Sequence, residues 1–283
     1  MLKLAVIGDP IEHSFSPQVH GAALDALGVA YTYQKVRVPA GGLADFLPYA
    51  RAEGIEGFNL TMPHKVDILP FLDEIDEEAQ RFSSVNTVVV RDGRLCGFNT
   101  DADGYTAALR TAGHAMGGKS VLILGAGGVV RTLALKAAYE GAARIVILNR
   151  TADKAEAVCD LVRQKVPAEL RADVLGMETL CAYAADCDVL IQATPLGMHG
   201  TGSDFTDFSF LDRMHPDALV SDLIYNPERT RLLQAASTRG LAVQNGLGML
   251  ICQALLADRI YTGLDFKMED LYPIVADTLR QKR

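Results

Sequence analysis

The apolar positions of the chain fall into two successive rhythms. Residues 2–7 form a short apolar run closed by Gly8, the pattern of a buried strand. Ser16-Pro17 predicts a helix start, with Ser16 as N-cap, Pro17 at the first helical position and Gly28 as the stop. Residues 31–38 alternate as a strand does, and residues 58–61 read as another short strand before a helix that begins at Pro63. Residues 85–90 and 95–98 flank Asp92-Gly93, a strong two-residue hairpin signal. Crossovers and a hairpin in one segment predict an α/β unit with a mixed sheet.

The rhythm changes from residue 120. Residues 120–124 read as a strand, 125–128 as a glycine turn, 129–140 as a helix, 144–148 as a second strand and 153–165 as a second helix. Further strand runs follow at 187–193 and 218–224, then a helix at 228–237, and the tail from Gly246 is helical to the end. Strand and helix alternating at this pitch predict a parallel sheet wound with helices, a Rossmann-type doubly wound domain.

Composition limits what such a chain does. Its 283 residues suit about two domains. The net charge of −8 argues against a broad basic surface for nucleic acid or anionic lipid. The five cysteines are odd in number, scattered and without a CxxC pair, which excludes a disulfide framework and argues against zinc. Residues 240–257 are uncharged but carry Gln244, Asn245, Gln253 and several glycines, so no membrane span is expected, and the cytoplasm is the default compartment. A small-molecule ligand is expected, with no nucleic acid or membrane partner.

Two kinds of candidate chemistry stand out. The strand 120–124 runs into Gly125-Ala126-Gly127-Gly128 at a helix start, where backbone amides and the helix dipole suit a pyrophosphate. Read as GxGxxG, the third position is Val130, so the fingerprint is incomplete, and a tight structural turn is the plain alternative. The second strand ends in Asn149-Arg150-Thr151, with Lys154 close by, where an NAD-binding protein would usually place an acid. A guanidinium there suits a 2′-phosphate and points to NADP; a solvated strand-end arginine is the alternative.

The other candidates lie in the first hundred residues. Ser14 and Ser16 follow the first strand end, where two hydroxyls suit a polyhydroxylated acid, although Ser16 as a cap is the simpler reading. In Asn59-Leu60-Thr61-Met62-Pro63-His64-Lys65, Thr61 leaves a strand and Lys65 sits in a first helical turn, against the dipole. Asn86 and Asn99-Thr100-Asp101 complete the set, with Asp101 also readable as an N-cap. A lysine and an aspartate together suit alcohol–ketone chemistry, one exchanging the proton and the other orienting it. His13, His20 and His64 lack metal-ligand spacing.

These segments, taken in order, resemble the shikimate dehydrogenase family. The likeness runs from Gly8 to about Gly263 through GDPIEHSFSP, NLTMPHK, VNTV, GFNTDADG, GAGG, NRT and NGLGMLICQA. It implies an NADP-dependent reduction of 3-dehydroshikimate, with Lys65 and Asp101 as the catalytic pair. Ser14, Ser16, Thr61, Asn86, Tyr225 and Gln253 would hold the substrate. Gly125, Ala126, Gly127, Gly128, Asn149, Arg150, Thr151 and Lys154 would hold the cofactor, joined by Thr194, Leu223, Gly246 and Met249. The substrate domain would be discontinuous, 1–102 with 245–283, its C-terminal helices returning to it, and the dinucleotide domain would span 103–244. Hinge motion is expected near 101–104 and 240–246, in a monomer or homodimer. The chain departs from the family pattern at Ser84, Val129, Val130, Gln192, at Ala257-Asp258-Arg259 and at Tyr261. A quinate or dual-specificity dehydrogenase, or an amino-analogue dehydrogenase, is the near rival. A metabolite sensor without catalysis is the distant one, and would be expected to lose Lys65 or Asp101.

Overall fold

The structure is a computed structural model and describes residues 1–281. The chain divides into two compact units, Met1–Gly104 with the residues from Leu250 onward, and Tyr105–Met249.

In the first unit, β1 (Leu2–Gly8) leads through α1 (Ser16–Ala26) to β2 (Tyr31–Arg37). Then follow α2 (Leu43–Glu53), β3 (Gly57–Leu60), the four-residue α3 (His64–Asp67), β4 (Glu74–Ile75) and α4 (Glu77–Phe82). The hairpin β5 (Thr87–Arg91) and β6 (Arg94–Phe98) comes next, and α5 (Asp101–Thr111) leaves the unit. The sheet order is β2-β1-β3-β5-β6-β4, with β1 parallel to β2 and β3, and β5 antiparallel to β3 and β6. The sheet is therefore mixed, and Asp92 and Gly93 both take the left-handed backbone the tight turn requires. Side chains alternate between two cores. Ala5, Ile7, Phe58 and Val88 pack with Phe46 and Ala50 of α2 on one face. Leu4, Val89 and Cys96 pack on the other with Leu24 of α1 and with Ala257 and Tyr261 of a C-terminal helix.

In the second unit, β7 (Ser120–Leu124), α6 (Gly128–Tyr139), β8 (Arg144–Asn149), α7 (Ala152–Arg163) and β9 (Leu170–Val174) are followed by α8 (Met177–Ala184) and β10 (Val189–Gln192). Then come β11 (Leu219–Asp222), α9 (Arg231–Thr238) and β12 (Ala242–Gln244). The order is β12-β11-β10-β7-β8-β9, parallel throughout. That is the doubly wound order, with its switch point between β7 and β10, where ligands bind beyond the strand ends in such sheets. α6 and α7 pack together, and α8 and α9 pack on Leu122, Leu148, Leu190 and Val220.

The tail is two helices, α10 (Leu247–Thr262) and α11 (Met268–Gln281), broken at Gly263, whose φ of +68° ends the first. α11 packs on α1, so both chain ends build the first unit. The unit boundaries fall inside α5 and α10, a few residues beyond the joins expected at 102/103 and 244/245. Ser16 departs from its expected capping role. It is the first residue of α1, Phe15 holds the cap position, and no side chain caps this helix. Nor does α9 begin at residue 228; Thr230 caps it by accepting from the Leu233 amide. No helix among the described residues is long and apolar enough to cross a membrane.

Candidate active site

In the first unit the polar residues left over by the core converge. Lys65 lies on α3, a turn too short to hold itself and fixed by its surroundings. The buried His64 ring meets Val38 O through Nε2 at 2.6 Å, and the Lys65 carbonyl accepts from the Val85 amide at 2.8 Å. Lys65 Nζ so reaches Asp101 Oδ2 at 2.6 Å, with the lysine side chain 29 % and the carboxylate 10 % exposed. Asp101 opens α5, where the helix dipole favours a negative charge. Its amide donates to Asn99 Oδ1, while its carboxylate is taken by Lys65 and by Asn86 Nδ2 at 3.0 Å.

Asn86 is the hub. Its Nδ2 also donates to Thr100 Oγ1 at 2.9 Å and to Gln253 Oε1 at 3.5 Å, and its Oδ1 accepts from the Thr100 amide. Gln253 arrives on α10 by a close helix crossing. A Cβ on Gly104 would lie 2.6 Å from the Gln253 amide nitrogen, so only glycine lets α5 and α10 approach there. Ser14 Oγ donates to Ser16 Oγ at 3.1 Å, pairing the two hydroxyls. Thr61 is tied to β1 through its amide on Ile7 O, and a Cβ on Gly8 would collide with its side chain. Tyr225 belongs to the other unit.

The second unit gathers the remaining candidates around its switch point. Gly125 has φ +113°, and a Cβ there would meet Ala193 O at 3.0 Å and Thr194 Cγ2 at 3.3 Å. Gly127 and Gly128 face open space, at the N-terminus of a twelve-residue helix, the positive end of its dipole. Val130, a departure from the family pattern, is fully buried in the core. Gln192, another, makes four hydrogen bonds: Nε2 to Thr194 O and Leu196 O, and Oε1 from the Thr194 amide and hydroxyl. Its side chain fixes the loop that carries Thr194.

Leu223 and Gly246 touch. The Leu223 amide donates to Gln192 O, the Gly246 amide donates to Ile224 O, and a Cβ on Gly246 would overlap the Leu223 carbonyl. Met249 is half-buried on α10. Past β8, Asn149 Nδ2 donates to Thr151 O at 2.9 Å, and Thr151 heads α7 without using its hydroxyl as a cap. Arg150 and Lys154 are exposed. A cavity of about 480 Å³ between α6 and α7 is lined by Ala126, Lys154 and also Arg131. Sequence reading passed over Arg131, although it shares the signal that exposed Lys65, a cation in a first helical turn.

Asp222, also unforeseen, organises the 223–230 loop that carries Tyr225. Its Oδ1 accepts from the Ile224 amide at 3.0 Å and its Oδ2 from Thr230 Oγ1 at 2.7 Å. Burial pushes its carboxyl up to about 6, against the lowering pull of those two bonds. A carboxyl raised above its unfolded 3.8 binds protons more tightly in the fold. Its contribution to stability therefore grows as pH falls from about 6 to about 4, and is least above 6. The stability difference between wild type and Asp222→Asn should change by about 3 kcal/mol across that window, the wild type gaining on acidification. Urea unfolding at several pH values measures this, and a pH-independent difference would refute it.

No group of His, Cys, Asp and Glu among the described residues could hold a metal ion. Two of the three histidines weighed as ligands have other partners: His20 pairs with Asp258 and His64 with Val38 O.

Comparison with known proteins agrees with this anatomy. Residues 6–88 match the shikimate dehydrogenase substrate binding domain, and residues 107–197 match shikimate / quinate 5-dehydrogenase. A shikimate dehydrogenase (NADP(+)) of Methanopyrus kandleri is 41 % identical over 279 residues, 98 % of this chain and 96 % of that one. The Thermus thermophilus shikimate 5-dehydrogenase, solved in complex with NADP(H) and shikimate, superposes with a TM-score of 0.83 at 33 % identity, covering 98 % and 100 % of the two chains. A Corynebacterium glutamicum quinate dehydrogenase in complex with NAD gives 0.86 at 29 % identity, covering 98 % and 99 %. With both units matched and full-length relatives at this identity, the chain belongs to the shikimate dehydrogenase family.

Proposed function

We propose that the protein is an NADP-dependent shikimate dehydrogenase, catalysing the reversible reduction of 3-dehydroshikimate to shikimate, with Lys65 and Asp101 as its acid–base pair. The observation that carries this reading is the 2.6 Å contact of Lys65 Nζ with Asp101 inside a cluster of amides and hydroxyls. The unit built from both chain ends is the substrate-binding domain, and the unit between them the dinucleotide domain.

The second unit fits NADP. The open glycine positions at the N-terminus of α6 suit a diphosphate, and Arg150, Thr151 and Lys154 suit a phosphate monoester beyond β8. Thr194, Leu223, Gly246 and Met249 would line the path from adenine to nicotinamide. When bound, NADPH supplies the hydride, and NADP⁺ accepts it in reverse.

The rest is done by the chain's own side chains. In the reducing direction Lys65 Nζ gives a proton to the substrate oxygen as the carbonyl becomes an alcohol, and takes it back in the oxidising direction. Asp101 orients Nζ and holds the reacting hydroxyl. Ser14 and Ser16 donate to the carboxylate, while Thr61, Asn86 and Gln253 hold the hydroxyls.

Steady-state kinetics with shikimate and quinate, each with NADP and NAD, test the assignment. The highest kcat/KM is expected for shikimate with NADP. A higher value for quinate with NAD would refute it in favour of the quinate reading, and the absence of turnover on all four pairs would favour a metabolite sensor.

A further inference from the structure

The first unit holds a buried histidine–aspartate hydrogen bond that the proposed reaction does not use. His20 of α1 and Asp258 of α10 meet at 2.6 Å, Nδ1 to Oδ1, and both are fully buried. Burying such a pair gains little stability over apolar side chains of similar size, because desolvation offsets the attraction. Asp258 also lies in the segment that departs from the family pattern. Its presence calls for a role in orientation, and three neighbours show what is oriented.

The bond to Asp258 fixes the His20 ring, and the ring lies face to face with Tyr33 of β2, centroids 4.9 Å apart and planes 16° from parallel. The Tyr33 hydroxyl donates to Asn59 Oδ1 at 2.7 Å. Asn59 and Thr87 are directly opposite across the β3–β5 ladder, and Asn59 Nδ2 donates to Thr87 Oγ1 at 3.1 Å. Thr87 Oγ1 in turn donates to Asn86 Oδ1 at 3.0 Å. A single line of contacts thus runs from the buried pair to the hub of the cluster.

We propose that Tyr33, oriented by the buried His20–Asp258 pair, is a positioning residue for the hydroxylated-acid site, setting the amide of Asn86 through Asn59 and Thr87. This rests on the assignment of Asn86 to the substrate. Tyr33 itself carries no proton in the reaction. It acts on how tightly the acid is held, and the cofactor, met by the other unit, is untouched.

Tyr33→Phe, Asp258→Asn and the double variant test it, assayed beside the wild type with shikimate and NADP and with thermal unfolding recorded for each. Tyr33→Phe should raise the shikimate KM about three- to tenfold, the worth of one hydrogen bond of ordinary strength. kcat should change less than KM, and the NADP KM should stay put. Asp258→Asn should shift the same constant in the same direction, and the double variant should be no worse than the larger single one, since both act through one hydroxyl. An unchanged shikimate KM in folded Tyr33→Phe, effects that multiply, or an equal shift in the NADP KM would overturn the inference. If Asp258→Asn does not fold, Tyr33→Phe alone decides, because it removes one oxygen from a half-buried ring. A wild type inactive on shikimate would instead sink the proposed function, and this inference with it.

Discussion

Replacing Lys65 with alanine should lower kcat for shikimate by about 10²-fold or more, the usual cost of losing a positioned acid–base group. The alcohol proton then has no acceptor at the reacting oxygen, and Asp101 loses the cation 2.6 Å from its Oδ2. Asn86 still donates to Asp101 Oδ1, so the carboxylate keeps one partner and the unit should still fold. NADP binding should be nearly intact, since its expected contacts are in the other unit. Stopped-flow or steady-state turnover gives the first quantity, and cofactor fluorescence titration the second. Unchanged turnover would remove Lys65 from the mechanism.

The second large effect is expected at the end of β8. Arg150→Ala should raise the KM for NADP by about 10- to 100-fold while leaving that for NAD within about threefold. The reason is that a charge-assisted bond to phosphate is worth about 1.5–3 kcal/mol and NAD offers no 2′-phosphate to make it. The preference for NADP should also weaken as salt screens exposed Arg150 and Lys154. The ratio of kcat/KM for the two cofactors is the measurement. A ratio unchanged by the substitution would return Arg150 to a solvated strand end.

Much of this was legible along the chain because burial leaves a one-dimensional trace. β7 and β8 are covered on both faces, so Val121, Leu122, Ile123 and Leu124 are all buried and read as unbroken apolar runs. β9 and β12 are edge strands with polar positions, Leu-Arg-Ala-Asp-Val and Ala-Val-Gln, and nothing in their pattern separates them from loop. Lys65 announced itself by opposing a helix dipole. Tyr33, Asn59 and Thr87 did not, because a polar residue in a strand reads as ordinary alternation. Only the cross-strand register, with Asn59 facing Thr87, turns them into a network. Asp258 is a similar case: its partner is 238 positions away, a separation that no local pattern encodes. Ser16 misled for a local reason, since Ser-Pro is a cap signature, yet the helix begins one residue earlier than that signature implies.

The discontinuity of the first unit sets an order of assembly on the ribosome. Synthesis runs from the N-terminus, and domains fold as units while the chain emerges. The second unit lies in one unbroken span, so its sheet can close as soon as β12 is out. The first unit has made all six of its strands long before then, but still lacks α10 and α11. Leu4, Leu24 and Val89 wait for Ala257 and Tyr261 to cover them, His20 waits for Asp258, and Asn86 waits for Gln253. The oldest part of the nascent chain is thus the last to finish. Until it does, one face of its sheet is uncovered and a buried histidine is unpartnered, which makes this the window in which a holdase chaperone has most to protect.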